Sequence, residues 1–418
     1  MIQKQVETRN FLLNLVEGVL YISSSAFLSF QIVIPALVLR LGGGNVAVGA
    51  VPVIVYVGLF LPQIFAARYV ESLPWKKGWA IAWGTVQRVT VLLMGIVVLT
   101  LAGKHPSTAL GLFLGVYALL HVLAGMATPG WYDFFAKVTP LHRRGRLAGM
   151  RTGFGSLAAF FAGILLTLFL SSLRFPLNYA VGFFIAFLLQ MASVITQIYI
   201  VEPEPSRVAE KRPISAYLLR LPEVFRGNRE FRHFMVSAVI LVIANMPVGF
   251  FTVYALKRFG AGEEAVGEFT LSMMAMMIVS ALAGGWIADR YGNKKALMMA
   301  GVGMLLASSW ALVAPTLGWF QLVFLFLGIN VGTETMSRYN ISAEYGPVEQ
   351  RSTYVALMNT LLAPFYLSGL VGGWISDQFG YPALFAAGCC FSVAGLFLLF
   401  RWVRDPREIK LGGEGAVH

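Results

Sequence analysis

Glu17 stands in the run Leu12-Leu13-Asn14-Leu15-Val16-Glu17-Gly18, a carboxylic acid among apolar neighbours with an amide three residues before it. Burial penalises the charged form of such an acid and moves its titration toward neutral pH. Glu17, with Asn14, therefore suits proton or cation binding. It suits equally a structural ion pair with a base of the same half. Glu334 and Arg338 are four residues apart on one helical face, where opposite charges meet. They can neutralise each other, or Glu334 can join Asn330 and Thr333 in a polar patch. His121 is a base that exchanges its proton near neutral pH, or else a hydrogen-bonded core residue. Asn245 and Pro247 interrupt the apolar run Val239–Phe251, and a proline there frees a carbonyl and permits bending. Arg88, beside Gln87, lies deep in another apolar run and is expected to turn inward as a structural ion pair with Glu17 or Asp133. The methionines between Met273 and Met277 are expected to pack helix faces. Cys389 and Cys390 read as small core residues. No Cys/His cluster or glycine-rich phosphate loop is present, so neither a metal nor a cofactor is expected.

These residues matter because of what surrounds them. Of 418 residues, 57% are hydrophobic and 12% charged, against roughly 25% charged in a soluble globular chain. The apolar residues fall in runs of about 20, the length of a membrane-crossing helix. Only helices satisfy their backbone inside such runs. A charge left at that depth costs ~2.5–3.5 kcal/mol on insertion scales, so each needs a reason. Helices are expected at 11–39, 46–69, 78–102, 108–136, 149–172 and 177–201, then at 234–257, 264–288, 294–315, 319–342, 353–376 and 381–402. The first run lacks a small-residue cleavage site and reads as a mature helix rather than a secretory signal. The expected organisation is a six-helix bundle (1–201), a linker (202–233) with an amphipathic helix in Ser215–Phe225, a second six-helix bundle (234–402) and a tail (403–418).

The bases orient this arrangement. With the N-terminus in the cytoplasm, Arg40, Lys104, Arg174, Lys257 and Arg258 fall on the outer side, Arg88 and Arg338 inside helices, and the other 25 of 32 Lys and Arg on the cytoplasmic side. The positive-inside rule then places both termini in the cytoplasm. It also explains the net charge of +12 without nucleic acid.

Internal repeats support the count. Tyr132-Asp133-Phe134-Phe135-Ala136, with Pro140 and Arg144, answers Tyr339-Asn340-Ile341-Ser342-Ala343, with Pro347 and Arg351, at an offset of 207. Gly284–Gly292 (GGWIADRYG) answers Gly372–Gly380 (GGWISDQFG) at an offset of 88. Three expected helices separate the latter copies, so the two point in opposite directions, as inverted three-helix repeats do. Gln378 replaces Arg290 in the copy expected outside.

The stretch Gly285-Trp286-Ile287-Ala288-Asp289-Arg290-Tyr291-Gly292-Asn293-Lys294-Lys295 resembles the loop motif of the major facilitator superfamily, a glycine before Asp-Arg, a turn glycine and a basic pair. The Pro140…Arg144-Gly145 and Pro347…Arg351 loops are also similar to that family's, and the resemblance covers the whole length. There are departures. Ala67 stands where the family usually has aspartate, and the fifth helix lacks the glycine-proline motif of drug/proton antiporters. Pro203-Glu204-Pro205-Ser206-Arg207 differs in order from the sugar-porter signature.

The resemblance implies an all-α integral membrane protein of twelve helices in two bundles, with a cavity lined by helices 1, 4, 7 and 10. Asn14, Glu17, His121, Asn245, Asn330 and Glu334 become candidates for substrate or proton binding. Arg68, Arg144, Asp289, Arg290, Gly292, Arg338 and Arg351 become gating residues, with Asp289-Arg290 as a latch for one state and Arg338 at the cytoplasmic gate. The expected activity is secondary active transport by alternating access, not enzymatic catalysis. It would be proton-coupled, and export of an amphiphilic or weakly polar solute is favoured by the aromatic, charge-poor interior. Uptake of a polar nutrient such as a sugar or organic acid is an alternative. A non-transporting sensor or assembly factor is another. The expected partners are a small-molecule substrate, a coupling proton and the lipid bilayer of the inner (cytoplasmic) membrane. The protein is expected to be a monomer.

Overall fold

A computed structural model describes residues 2–206, 225–347 and 351–406. The expected amphipathic helix at Ser215–Phe225 lies almost wholly outside these residues, as does the tail beyond 406. Every regular element among the described residues is helical. In chain order the helices are α1 (Ile2–Ser23), α2 (Val33–Arg40), α3 (Asn45–Glu71), α4 (Lys77–Leu101), α5 (Pro106–Val138), α6 (Leu141–Ser172) and α7 (Leu177–Ile198). They continue with α8 (Arg229–Ala244), α9 (Val248–Phe259), α10 (Glu264–Tyr291), α11 (Asn293–Val313), α12 (Leu317–Phe320), α13 (Leu322–Glu344), α14 (Arg351–Leu362) and α15 (Ser368–Arg401).

Ten helical stretches among the described residues are long and apolar enough to cross a membrane. The last, Tyr354–Arg401, has 48 residues. At 1.5 Å per residue that is roughly 70 Å, twice a hydrocarbon core. It is broken at Gly380, where φ is 82° and ψ 166°. Gly292, its counterpart in the 88-residue repeat, separates α10 from α11 with φ 94° and ψ 155°. This backbone region is essentially reserved for glycine. Both copies of the repeat thus end in the same turn.

Several helices differ from their expected bounds. The first expected helix, 11–39, begins at Ile2 and is interrupted after Ser23. Ser23 Oγ donates to the Leu20 carbonyl at 2.8 Å and Ser24 Oγ to that of Tyr21 at 2.7 Å. Hydroxyls bonded back in this way compete with the helical ladder. The helix expected from 149 starts at Leu141, carrying Arg143, Arg144 and Arg146 into α6. The helix expected at 234–257 divides at Asn245–Pro247 into α8 and α9. A 3-10 segment, Ala363–Leu367, interrupts the eleventh expected helix at Pro364, since proline has no N–H to donate.

The chain forms two compact units. One contains the described residues through 206 together with Ala261–Leu271; the other contains 225–260 and the described residues from Ser272 onward. In the first, α1 packs on α6 and α7, α4 on α5 and α7, and α3 on α5. In the second, α11 packs on α13 and α15, and α8 on α15 and the 3-10 segment. Lipid tails are as apolar as leucine, so such contacts depend on close packing and interhelical hydrogen bonds.

Candidate functional site

The first unit holds a buried polar network centred on Glu17, whose exposure is 2%. Arg151, from α6, brings its Nη1 within 2.5 Å of Glu17 Oε2. The same nitrogen donates to the Asn14 carbonyl. Gly18 gives it room, since a Cβ there would collide with the Arg151 side chain. The guanidinium also lies over Trp131, 5.0 Å from the ring centroid. From α7, Ser193 Oγ and Gln197 Nε2 each donate to Glu17 Oε1 at 3.1 Å. The carboxylate is therefore shared among α1, α6 and α7 and is not an isolated acid.

Arg88 reaches the same network by a different route from either expected pair. Its Nε donates to the Gln190 carbonyl at 2.9 Å, one Nη to the Gly84 carbonyl at 2.8 Å, and the other to Ser193 Oγ at 3.3 Å. Ser193 thus relays between Arg88 and Glu17. Asp133 is half exposed and lies 4.0 Å from Lys76 instead. The reason is placement: Arg88 faces α7, whereas Asp133 is near the end of α5, beside the α3–α4 turn. The network holds two guanidinium groups and one carboxylate.

The second unit holds another centre. Glu334 Oε1 and Arg338 Nη1 are 2.7 Å apart, and both side chains are largely buried, at 12% and 3% exposure. Glu334 is about 18 Å along α13 from its first residue, close to mid-membrane depth. The 3-10 segment brings the Tyr366 hydroxyl to the Arg338 guanidinium. On the next turn of α13, Tyr339 accepts a hydrogen bond from Asn359 of α14.

The patch expected around Glu334 is not assembled. Asn330 Nδ2 donates to the Ala300 carbonyl of α11 at 3.1 Å, and Thr333 packs over Gly284 of α10. Both residues join helices. Asn245 caps α8, and its Oδ1 is buried without a hydrogen-bond partner. His121 lies edge-on to Tyr117, with centroids 4.7 Å apart, and its Nε2 is likewise buried without a hydrogen-bond partner. The Asn14 amide nitrogen is buried and unbonded.

The candidate gating residues occupy the helix ends. Arg144 donates to the carbonyls of Thr139 and Ala136, capping α5. Arg351, its counterpart, is exposed at the first position of α14, and Arg68, Asp289 and Arg290 are exposed. Arg290 stacks near Trp286 and Tyr291, at 5.7 and 5.6 Å.

Two acids outside the expected set do conspicuous structural work here. Glu202 accepts from the backbone N–H groups of Lys76 and Lys77 at 2.9 and 3.0 Å, capping α4, and pairs with Lys137 at 2.6 Å. Asp405 sits against Gly292 at the start of α11. A carboxylate at a helix N-terminus is favoured by the unbonded N–H groups and the helix dipole. Each acid precedes a proline, Glu202-Pro203 and Asp405-Pro406, just after the last helix of its half. That repeated dipeptide was the available sequence signal. An open cavity of about 490 Å³ beside Glu202 is lined by Trp75, Lys77, Gly78, Ile81 and Val201, and contains none of the candidate binding residues.

Long apolar helices, several of them broken and carrying buried ion pairs, define a multi-pass helical membrane protein. The chain belongs to the Major Facilitator Superfamily, whose model matches residues 19–363 and 259–417. It is similar to the gallate transporter of Pseudomonas putida, 28% identical over 154 residues, covering 37% of this chain and 34% of that one. It is also similar to the 4-hydroxybenzoate transporter PcaK of Acinetobacter baylyi, 28% identical over 149 residues, 34% of this chain and 31% of that one. The multi-drug resistance efflux pump PmrA of Streptococcus pneumoniae is 26% identical over 181 residues, 42% of this chain and 44% of that one. The matches thus span about a third to less than half of these relatives. Among solved structures, a mutant of the nucleoside transporter NupG superposes with a TM-score of 0.70 at 14% identity, covering 94% of this chain and 99% of that one. The D-xylose-proton symporter superposes with a TM-score of 0.64 at 12% identity, covering 96% and 98%. At such identities these two likenesses concern the fold alone.

Proposed function

We propose that this secondary transporter moves a small amphiphilic organic acid by alternating access, coupled to protons, with uptake as the direction. The observation that carries the reading is the Glu334–Arg338 pair, 2.7 Å apart at mid-membrane depth. A guanidinium offers a planar fork of donors matched to a carboxylate. A neighbouring acid can take up the proton. The names of the gallate and 4-hydroxybenzoate transporters, both of which denote aromatic acids, support a solute with an apolar body and an acid group. The exposed Asp289 and Arg290 would latch one state.

Export of a weakly polar amphiphile is the second reading, supported by the similarity to the efflux pump PmrA and by the charge-poor composition. Flux into proteoliposomes under an imposed proton gradient tests both. Uptake predicts that an aromatic acid accumulates when protons flow inward with it. Export by exchange predicts expulsion as protons enter. No gradient-driven flux across a panel of aromatic acids, sugars and cationic dyes would contradict both and support a sensor or assembly role.

A further inference from the structure

Three side-chain oxygens of the second unit are buried with no hydrogen-bond partner: Asn245 Oδ1 at the α8–α9 break, Ser308 Oγ of α11 and Ser392 Oγ of α15. Both serines are fully buried. Other hydroxyls of this unit turn back to their own helix. Thr333 Oγ1 donates to the Ile329 carbonyl at 2.7 Å, Thr360 Oγ1 to that of Ala356 at 2.9 Å and Ser376 Oγ to that of Gly373 at 2.8 Å. Ser308 and Ser392 make no such bond, and a buried polar atom without a partner calls for an explanation.

Packing draws the three oxygens together. A Cβ on Gly388 of α15 would stand 2.9 Å from Ser308 Oγ and 2.7 Å from Pro247 Cγ. Two turns further along α15, a Cβ on Gly395 would meet the Leu241 side chain of α8 at 2.8 Å. Ser392 lies between these contacts on the same face. Asn245 lies between Leu241 and Pro247, one turn after Leu241. A Cβ on Gly301 of α11 would meet both Leu241 and Leu396, so all three helices converge here. The break adds backbone. The N–H groups of Asn245, Met246, Val248 and Phe250 donate to the carbonyls of Val242, Ile243, Asn245 and Pro247, and Pro247 has no N–H to give. That series passes over the Ala244 carbonyl at the end of α8.

We infer that these atoms form a sodium site, with Asn245 Oδ1, Ser308 Oγ, Ser392 Oγ and the Ala244 carbonyl as ligands. All four are neutral oxygens. The only acids of α8, α9, α11 and α15 are Glu230 and Asp377, fifteen residues before Asn245 and eleven before Gly388. Divalent hard cations draw on carboxylates, so a set without one suits a monovalent ion. The C-terminal end of α8 adds the negative pole of the helix dipole. Unwound carbonyls and half-helix ends are how a broken helix holds a cation at membrane depth. Close approach at Gly301, Gly388 and Gly395 keeps the space small and favours sodium over the larger potassium. Asn245 is only partly buried and gives the ion its entry. One ion thereby satisfies three otherwise unpaired oxygens and braces the break between α8 and α9. The site does not rest on proton coupling or on the nature of the solute.

The test is the thermal unfolding midpoint of the detergent-solubilised full chain in sodium, potassium or choline chloride at one ionic strength. A ligand that binds only the folded chain raises the midpoint with its concentration. The wild-type midpoint should rise saturably with sodium, by a few degrees, and much less with potassium. Ser308→Ala/Ser392→Ala removes two unpaired oxygens, so in choline it should unfold about as late as wild type. It should lose the sodium shift. Ser309→Ala should keep the shift, because the Ser309 hydroxyl lies at Cys389 Sγ, 3.3 Å away, and is not a ligand. Equilibrium binding of radiolabelled sodium to the same proteins gives a second reading that does not depend on unfolding. Wild type and Ser309→Ala should bind the ion, and the double variant should not. A midpoint equal in sodium and choline would mean that water alone fills the site and would overturn the inference. So would a sodium shift or sodium binding that survives in the double variant, or a potassium shift as large as that of sodium.

Discussion

The Glu17–Arg151 pair is held by groups from three helices, so removing one partner leaves a buried charge behind. Breaking such a pair typically costs about 3–5 kcal/mol. Arg151→Met is therefore expected to lower the thermal stability of the detergent-solubilised chain sharply, and Glu17→Gln/Arg151→Met should recover part of the loss. Equal losses for single and double variants would mean that the pair does not hold the unit together. Lys76 gives a pH-dependent counterpart outside the spans. Burial lowers its pKa below the ordinary lysine value of 10.5, with the Asp133 charge opposing. The unfolded chain then binds this proton more tightly than the folded one, so the Lys76 contribution to stability rises with pH toward 10.5. Lys76→Met should flatten the alkaline side of a stability-against-pH curve. Legibility in the sequence followed locality. Glu334 and Arg338 could be paired from spacing alone. Arg151 could not be paired in this way, because nothing in the spacing joins it to Glu17 on α1.

At the level of elements, the same glycine turn occurs twice in the second unit, with different surroundings. An alanine at either Gly292 or Gly380 is strained by about 1–3 kcal/mol. At Gly292 its Cβ would also strike the Asp405 carboxylate, while at Gly380 the nearest atom is Pro382 Cδ at 3.6 Å. Gly292→Ala should therefore cost more than Gly380→Ala in thermal unfolding, and Asp405→Ala should remove the excess without relieving the backbone strain. Equal costs would contradict the placement of Asp405 at α11. The helices themselves were legible because a membrane imposes both length and apolarity. The break at Pro247 was visible for the same reason that any proline is. The break after Ser23 was not, because serine ends a helix only when its hydroxyl turns back to a carbonyl, and composition does not record that choice.

For the whole molecule, charge-poor composition and an inverted repeat pointed to a multi-pass helical membrane protein, and the resemblance of Gly285–Lys295 to a loop motif pointed to the superfamily before any cargo could be named. The cargo depends on a few atoms around Arg338 whose arrangement requires the 3-10 break at Ala363–Leu367. Nothing in the periodicity of that run shows Tyr366 meeting α13. The central claim is that Glu334 couples solute movement to protons. It is tested most directly by comparing wild type and Glu334→Gln in proteoliposomes, in two modes with one labelled aromatic acid. Under an imposed proton gradient, wild type should accumulate the acid and the variant should not. In exchange across membranes without a gradient, both should move it. Gradient-driven accumulation by Glu334→Gln equal to wild type would contradict the claim.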